Sequence, residues 1–167
     1  GYSLFKYRGA VAAAIRKGKY GHCPWILRKL GVLLPPFASF FNPDCLLPIP
    51  PTRKSWLEKG FSPSLELART IHQKWNGSVP APRIEKNLLL RKGNLAPQVS
   101  LSPSQRKKLS PNSYLLVKNI NSISDKRILL VDDVFTTGAT LRTAAKFLRK
   151  QGFSGEIFFL TLARSVW

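Results

Sequence analysis

The stretch ILLVDDVFTTGAT, at residues 128–140, decides the fold. It begins with four consecutive apolar residues, which is typical of a strand that is buried on both faces of a parallel sheet. A helical stripe of apolar residues follows, and it consists of Leu141, Ala144, Ala145 and Leu148. Gly152 ends this helix, and an apolar strand at 157–162 completes a βαβ unit. The unit predicts an α/β fold with an open, mainly parallel sheet flanked by helices.

The remaining segments predict that residues 1–167 form a single domain. The expected elements are two N-terminal helices within 9–34, a buried strand at 45–49, a helix from Ser62 to Asn76 and an edge strand at 114–117. A loop rich in Pro and positive charge follows the buried strand. Residues at about 80–111 contain several Pro residues and a Gly-Asn pair, so we expect a flexible loop there, with a short strand near 88–90.

The charge of the chain is strongly positive. Lys and Arg total 27 against 8 acidic residues, so the formal net charge is +19 and the pI is near 10.7. The basic residues are distributed along the whole chain, which excludes a detachable basic tail. A balance of this kind favours polyanionic partners such as nucleic acid, phosphorylated metabolites or anionic lipid. The alternative is a surplus of charge that serves solubility alone.

The two cysteines, Cys23 and Cys45, stand far apart in the sequence, which is neither a zinc pattern nor a disulfide framework. Lone cysteines in apolar surroundings are usually buried small hydrophobes, which agrees with a reducing compartment. No apolar run approaches the length that spans a bilayer, and residues 1–9 lack the apolar core of a signal peptide. We therefore expect a cytoplasmic protein.

Two acids and a Thr-Gly loop follow the apolar run. Asp132 and Asp133 leave the carboxyl end of the predicted strand, the edge at which open α/β sheets bind ligands. The next residues open a helix, where unpaired N–H groups suit a phosphate, and Gly138 lets the backbone approach an anion. The carboxylates are suited to vicinal ribose hydroxyls and to a hydrated magnesium ion. The alternative is that Asp133 or Thr136 only caps the helix.

This segment resembles the signature of type I phosphoribosyltransferases that binds 5-phosphoribosyl-1-pyrophosphate (PRPP), an apolar strand followed by D-D-x-x-T-T-G-x-T. The match is complete at Asp132, Asp133, Thr136, Thr137, Gly138 and Thr140. The wider layout resembles the ComF (ComFC) family, which is linked to natural competence and DNA uptake. Its further marks include residues 7–9 and 15–20, Leu47 to Pro50, Lys59-Gly60-Phe61, Arg91, Pro97-Gln98, Leu101, Arg106 and Leu162 to Arg164.

Two features depart from the ComF pattern. The family's usual R-G-F-N-Q is KGFSP here, at residues 59–63, so a polar pair after the Phe is lost. The N-terminal four-cysteine zinc module that is common in the family is absent from these 167 residues. We therefore predict no zinc for them.

The resemblance implies that the chain binds PRPP with magnesium. Asp132 and Asp133 would hold the ribose hydroxyls and the hydration shell of the ion, as the catalytic residues. The 5′-phosphate would be anchored by Thr136, Thr137, Gly138, Ala139 and Thr140. The pyrophosphate would meet Arg53 and Lys54, and the loop that closes over PRPP would contain Arg91, Lys92 and Gln98. The alternative for each cation is a solvated surface charge. No motif identifies an acceptor, so transferase activity is left open.

The positive charge and the ComF resemblance together favour single-stranded DNA as a partner. The alternative function is a nucleobase-salvage phosphoribosyltransferase. Aromatic side chains that alternate with basic ones are able to stack unpaired bases, and the candidate contacts are Trp56, Lys59, Arg106, Lys107 and Lys108. Trp75 and Phe135 are expected to pack in the core instead. The resemblance also implies partners in the DNA-uptake machinery, such as a helicase or a membrane channel.

Overall fold

A parallel sheet forms the centre of the fold. The computed structural model describes residues 1–76, 80–92 and 113–165. The strands of the sheet are β1 (Tyr2–Lys6), β2 (Cys45–Pro48), β3 (Arg83–Ile84), β6 (Ile128–Phe135) and β7 (Ile157–Arg164), and a separate antiparallel pair comprises β4 (Leu89–Arg91) and β5 (Tyr114–Leu116). The order in the five-stranded sheet is β1-β7-β6-β2-β3, with every neighbouring pair parallel. The predicted parallel α/β sheet is therefore confirmed.

Helices flank the sheet on both faces. They are α1 (Gly9–Tyr20), α2 (Pro24–Gly31), α3 (Pro35–Ala38), α4 (Arg53–Lys59), α5 (Pro63–Gln73) and α6 (Ala139–Lys150). Ser62 caps α5 because its hydroxyl accepts a hydrogen bond from the amide of Leu65, and Thr52 caps α4 in the same way through the amide of Ser55. Across the described ranges, no helix combines the length and the apolar character needed to cross a bilayer.

The side chains of β6 divide the interior into two cores, because successive residues of a strand point to opposite faces. Ile128 and Leu130 pack in the core on the side of α6. Leu129 and Val131 pack in the core on the side of α1, α2 and α5. All four side chains are fully buried. The apolar run is thus covered on both faces, as its composition predicts.

The carboxyl edge of the sheet is stepped. β2 pairs with β6 only as far as Pro48 and Val131, and the last hydrogen bond runs from the Ile49 amide to the Val131 carbonyl at 2.9 Å. β6 continues to Phe135 with β7 as its neighbour. Asp132 and Asp133 therefore follow the point where β2 ends, and among the described residues no strand pairs with them on that side. This notch at the carboxyl edge positions the candidate site.

Several elements differ from the sequence-based expectations. β1 and β3 were not predicted; β3 has only two residues, too few for any periodicity. The predicted loop after β2 contains α4. Residues 80–92, expected to lie in a flexible loop, contain β3, while the short strand predicted near 88–90 is present as β4. The second helix ends at Gly31 instead of 34, and Pro35 begins α3, because proline is well tolerated in the first turn of a helix.

The two cysteines differ in burial. Cys45 lies in β2, and its burial, reinforced by the charges of Glu85 and Asp44, raises the pKa of the thiol to about 12. This residue is the buried hydrophobe that was expected. Cys23 is only partly buried, and its thiol donates a hydrogen bond to the Gly21 carbonyl at 3.1 Å.

Candidate functional site

Asp132 occupies the centre of the notch. It lies within β6, which continues beyond it, whereas the sequence predicted that the acids follow the strand. Its Oδ1 accepts hydrogen bonds from Ser64 Oγ at 3.1 Å and from the Asp133 amide at 2.9 Å. Burial, followed by the charge of Asp133, raises the pKa of Asp132 to about 7. The carboxyl group is thus held in place by α5 but is ionised reluctantly.

Asp133 forms an ion pair with Lys19 of α1. Lys19 Nζ lies 2.8 Å from Asp133 Oδ1, and the two side chains are only 14% and 15% exposed. Sequence reasoning missed Lys19 as a residue of the site. The signal that could have located it is the ComF mark over residues 15–20, because helical periodicity does not reveal a contact with a distant strand.

The loop after β6 is built around Gly138. Gly138 has a φ of +72°, and a Cβ there would lie 2.5 Å from Phe135 Cζ and 2.9 Å from an Arg142 guanidinium nitrogen. Only glycine is compatible with this backbone and these neighbours. The approach of an anion to this backbone stays a prediction, and the structure adds that the space beside the Gly138 Cα is occupied by the Phe135 ring and Arg142.

Free amide groups mark the start of α6. The Ala139 amide donates to Thr137 Oγ1 at 3.3 Å, and the next helical hydrogen bond runs from the Arg142 amide to the Gly138 carbonyl. Among the described residues, the amides of Thr140 and Leu141 have no acceptor. Thr136 and Thr137 are exposed. This end of the helix therefore offers N–H and hydroxyl donors to an anion, as predicted.

Two arginines support the loop from outside. The Arg142 side chain is exposed, and its guanidinium donates to the Thr137 carbonyl at 2.6 Å. Phe135 packs against the core on the α6 side, as expected, and carries the Arg164 guanidinium 5.6 Å from its ring centroid. Phe135 and Arg142 also line a cleft of about 880 Å³ beside β1, which contains neither acid.

The predicted pyrophosphate ligands, Arg53 and Lys54, lie on the exposed first turn of α4. Lys54 is 86% exposed and approaches Glu58 at 3.8 Å. The cation of α4 that is turned toward α1 is Lys59 instead. Its Nζ donates to Ser55 Oγ at 2.5 Å and lies 5.0 Å from the centroid of the Tyr20 ring. Burial and then the charge of Lys19 lower the pKa of Lys59, and the charge of Asp133 opposes this shift.

The residues predicted for the closing loop are partly outside the described residues. Arg91 ends β4, donates from Nε to the Pro50 carbonyl at 3.2 Å and lies over the Tyr114 ring, 5.4 Å from its centroid. It therefore contacts the segment that precedes α4. Lys92 is exposed. Gln98 lies outside the described residues.

Two of the predicted DNA contacts, Trp56 and Lys59, lie on α4. Trp56 is 48% exposed. Lys59 donates to Ser55 and lies over the Tyr20 ring. Arg106, Lys107 and Lys108 lie outside the described residues. Trp75 packs against the core on the side of α5, as expected.

The two acids fit a hydrated magnesium ion. The hydrogen bonds to Asp132 fall on Oδ1, and the ion pair of Asp133 also uses Oδ1, so each carboxylate keeps a second oxygen for a ligand in the part of the chain described. Magnesium retains several waters and is typically held by one or two carboxylates together with substrate phosphates. Within the same residues no cluster of three or more His, Cys, Asp or Glu side chains forms a fully protein-made metal site.

Comparison with known proteins connects this site to a family. Residues 66–165 match the family described as "Phosphoribosyl transferase domain". The chain is 30% identical over 123 residues to "Competence protein F" of Haemophilus influenzae, covering 74% of this chain and 51% of that protein. It is also 30% identical over 135 residues to "Competence protein ComFC" of Bacillus subtilis, covering 77% and 50%. The chain thus spans about half the length of these curated relatives.

One solved structure has a low overall similarity to this chain. It is the purine phosphoribosyltransferase from Pyrococcus horikoshii, with a TM-score of 0.41 and 18% identity, covering 84% of this chain and 75% of that one. The family match begins at Glu66, two residues after Ser64, and extends through both acids, the Thr-Gly loop and β7. The chain therefore belongs to the phosphoribosyl transferase domain family, as a ComF-like protein with a type I phosphoribosyltransferase-like fold.

Proposed function

We propose that this chain binds PRPP together with magnesium at the notch in the carboxyl edge of the sheet. The observation that carries the proposal is the pair Asp132 and Asp133 beside the end of β2, followed directly by a loop with free donors at the start of α6. Only Val134 and Phe135 separate the acids from Thr136, where the loop begins. That spacing suits a ligand with a diol and a phosphate on the same five-membered ring.

Each part of the site has a distinct task in this proposal. The donors of residues 136–140 hold the 5′-phosphate, because a helix start favours an anion. Asp132 and Asp133 accept hydrogen bonds from the ribose hydroxyls, and Ser64 and Lys19 fix their orientation. Magnesium, when bound by the carboxylates, would neutralise charge on the diphosphate.

If the chain transfers the ribosyl group, as the family resemblance implies, its contribution is positioning and charge stabilisation. The bond from C1′ to the diphosphate oxygen breaks, its electron pair leaves with the diphosphate, and the lone pair of a nitrogen nucleophile forms the new bond. A fixed ribose and preorganised charges lower the barrier to this step. The site residues do not identify the acceptor.

Isothermal titration of PRPP with magnesium tests the proposal. The double variant Asp132→Asn, Asp133→Asn should lose binding, because amides keep the shape but neither attract magnesium nor accept ribose hydrogen bonds as strongly. Asp125→Asn removes an exposed carboxylate elsewhere and should bind as the wild type does. Unchanged binding by the double variant would exclude this site.

We propose a second function, binding of single-stranded DNA by a cytoplasmic protein of natural transformation. The net charge of +19 and the competence proteins among the relatives support it. In this role the chain would pass DNA to a helicase or receive it from a membrane channel. The alternative is nucleobase salvage, which would appear as pyrophosphate release that depends on an added nucleobase.

Fluorescence anisotropy with a labelled oligothymidine across a salt series tests DNA binding. Counterion release predicts that log K falls with log salt by about 0.7 for each phosphate contacted. Trp56→Ala should weaken binding about fivefold, within the range that base stacking contributes. Trp25→Ala, which removes another half-exposed indole, is the matched control. A flat salt dependence, or no binding at low salt, would refute the DNA-binding role.

A further inference from the structure

Two lysines from separate helices face the acids on the side of the notch opposite the Thr-Gly loop. Lys19 of α1 pairs with Asp133 at 2.8 Å. Lys59 of α4 lies close enough to feel the charges of both Lys19 and Asp133, and Tyr20 covers it at 5.0 Å. Neither lysine belongs to the segment that carries the PRPP signature, and both lie outside residues 66–165, which match the family.

The charges in this corner do not balance. Among the described residues Lys59 forms no ion pair within 4 Å, and its hydrogen-bond partner is the neutral hydroxyl of Ser55. Burial and the charge of Lys19 outweigh the attraction of Asp133 and Glu58, so the pKa of Lys59 is lowered. A bound anion would offset this cost.

The surroundings of Lys59 distinguish it from an ordinary surface lysine. Lys54, five residues earlier on the same helix, is 86% exposed and lies 3.8 Å from Glu58. An exposed lysine of that kind is solvated and contributes little to a site. Lys59 instead donates to Ser55 Oγ and lies over the ring of Tyr20, the residue next to Lys19, so its ammonium group is held on the Lys19 side of the site.

We infer that Lys19 and Lys59 together bind the diphosphate of PRPP, in place of the exposed Arg53 and Lys54. This inference rests on the proposed function, since it requires that Asp132 and Asp133 hold the ribose. The ribose would then have its 5′-phosphate at the start of α6 and its C1′ substituent toward α1 and α4. Lys19 keeps N–H groups beyond the one directed to Asp133, so it is able to serve both the acid and the diphosphate.

Paired titrations with two ligands separate the diphosphate from the rest of PRPP. Magnesium-PRPP and ribose 5-phosphate with magnesium share the ribose and the 5′-phosphate, and only the first has the diphosphate. Lys59→Met should weaken PRPP binding about tenfold or more, as expected for loss of a charge-assisted contact, and leave ribose 5-phosphate within about twofold. Lys19→Met should likewise affect PRPP more than ribose 5-phosphate.

Three further variants complete the experiment. Lys146→Met removes one exposed charge from α6 and should bind both ligands normally. Lys59→Arg keeps the charge and should retain most of the PRPP affinity. Lys54→Met should resemble the wild type; if Lys54→Met loses PRPP and Lys59→Met does not, the inference is wrong.

The remaining outcomes also decide the matter. If Lys59→Met loses affinity for both ligands equally, the specific role in diphosphate binding is refuted. An equal loss that is caused by misfolding counts in the same way. Lys59→Arg repeats the test in a variant that keeps the positive charge. A wild-type protein that binds neither ligand would refute the proposed function itself. If the wild type binds both ligands and the lysine variants bind them equally well, only the inference about the lysines is refuted.

Discussion

The two sides of the notch are built in different ways. On the α6 side, the groups that would hold a phosphate lie within residues 136–140. The side chains that pack against this segment, Phe135 and Arg142, lie close to it in the sequence. On the opposite side, the cations are Lys19 of α1 and Lys59 of α4, which are some 40 positions apart in the sequence and come near each other only in the folded chain. The first side is one turn of backbone, whereas the second depends on side chains from two separate helices.

This difference has consequences for how each side tolerates change. A rigid turn depends on backbone conformation and on the space around one glycine, so a single methyl group should damage it. A set of side-chain charges has no such steric requirement, and substitutions there should alter affinity with little effect on folding. The predictions below test whether the two sides respond in these two ways.

Gly138→Ala should have the largest effect. The added methyl group would lie 2.5 Å from Phe135 Cζ and 2.7 Å from Cε2, and the ring cannot withdraw freely because it packs against the core. We expect a loss of about 3 kcal/mol in the free energy of unfolding, from backbone strain and overpacking together. PRPP binding should fall below detection. Urea denaturation and calorimetric titration measure the two effects.

Gly60→Ala is the matched control for this prediction. Gly60 has the same φ of +72°, yet a Cβ there would have no neighbour within 4 Å. It should cost only the strain of the left-handed backbone, about 1 kcal/mol. Equal destabilisation by the two substitutions would show that the contacts with Phe135 and Arg142 contribute nothing, and the contrast between the two sides would lose its steric basis.

The pH dependence of stability should expose the cost of Asp132. Its pKa is about 7 in the folded chain, above the ordinary carboxyl value near 4, so the folded state binds its proton more tightly than the unfolded state does. Stability from this group is present below pH 4 and is lost as the pH rises toward 7. Asp132→Asn should remove that slope and be more stable than the wild type at pH 8, by on the order of 2 kcal/mol.

Urea unfolding at several pH values from 4 to 8 checks this. Asp125→Asn, which changes an exposed carboxylate, should keep the slope of the wild type. An Asp132→Asn protein that is less stable than the wild type at pH 8 would mean that Ser64, Lys19 and the Asp133 amide already compensate the buried charge. The acid would then carry no cost of folding.

The rigid side of the site was predictable from sequence because its information is local. The apolar run of β6, the two acids and the Thr-Gly loop are consecutive, and strand and helix periodicity place them at a sheet edge. The surroundings of Gly138 were not predictable, because the orientation of Phe135 and Arg142 depends on packing. The steric demand for glycine therefore emerged only from the structure.

The lysine side of the site could not be predicted from the sequence, and the reason is physical. Lys19 has the position of a solvated lysine on an amphipathic helix, and nothing in α1 indicates that the helix ends above Asp133. Likewise α4 follows two prolines and was taken for a loop, although Thr52 caps it and Gly60 ends it. Short elements such as α4 and β3 hold their conformation through tertiary contacts, which no local pattern encodes.

Arg142→Met should have the smallest effect of these substitutions. Arg142 reinforces the loop with one hydrogen bond to the Thr137 carbonyl at 2.6 Å, and its guanidinium is exposed, so the loop backbone should persist without it. We expect PRPP affinity to fall about threefold, which corresponds to the net value of a single exposed hydrogen bond, with an unchanged free energy of unfolding. Lys146→Met, one helical turn further along α6, should leave the affinity unchanged. A loss of PRPP affinity as large as that in Gly138→Ala would mean that the guanidinium, and not the backbone, holds the phosphate. The α6 side would then depend on a side-chain charge, as the lysine side of the notch does.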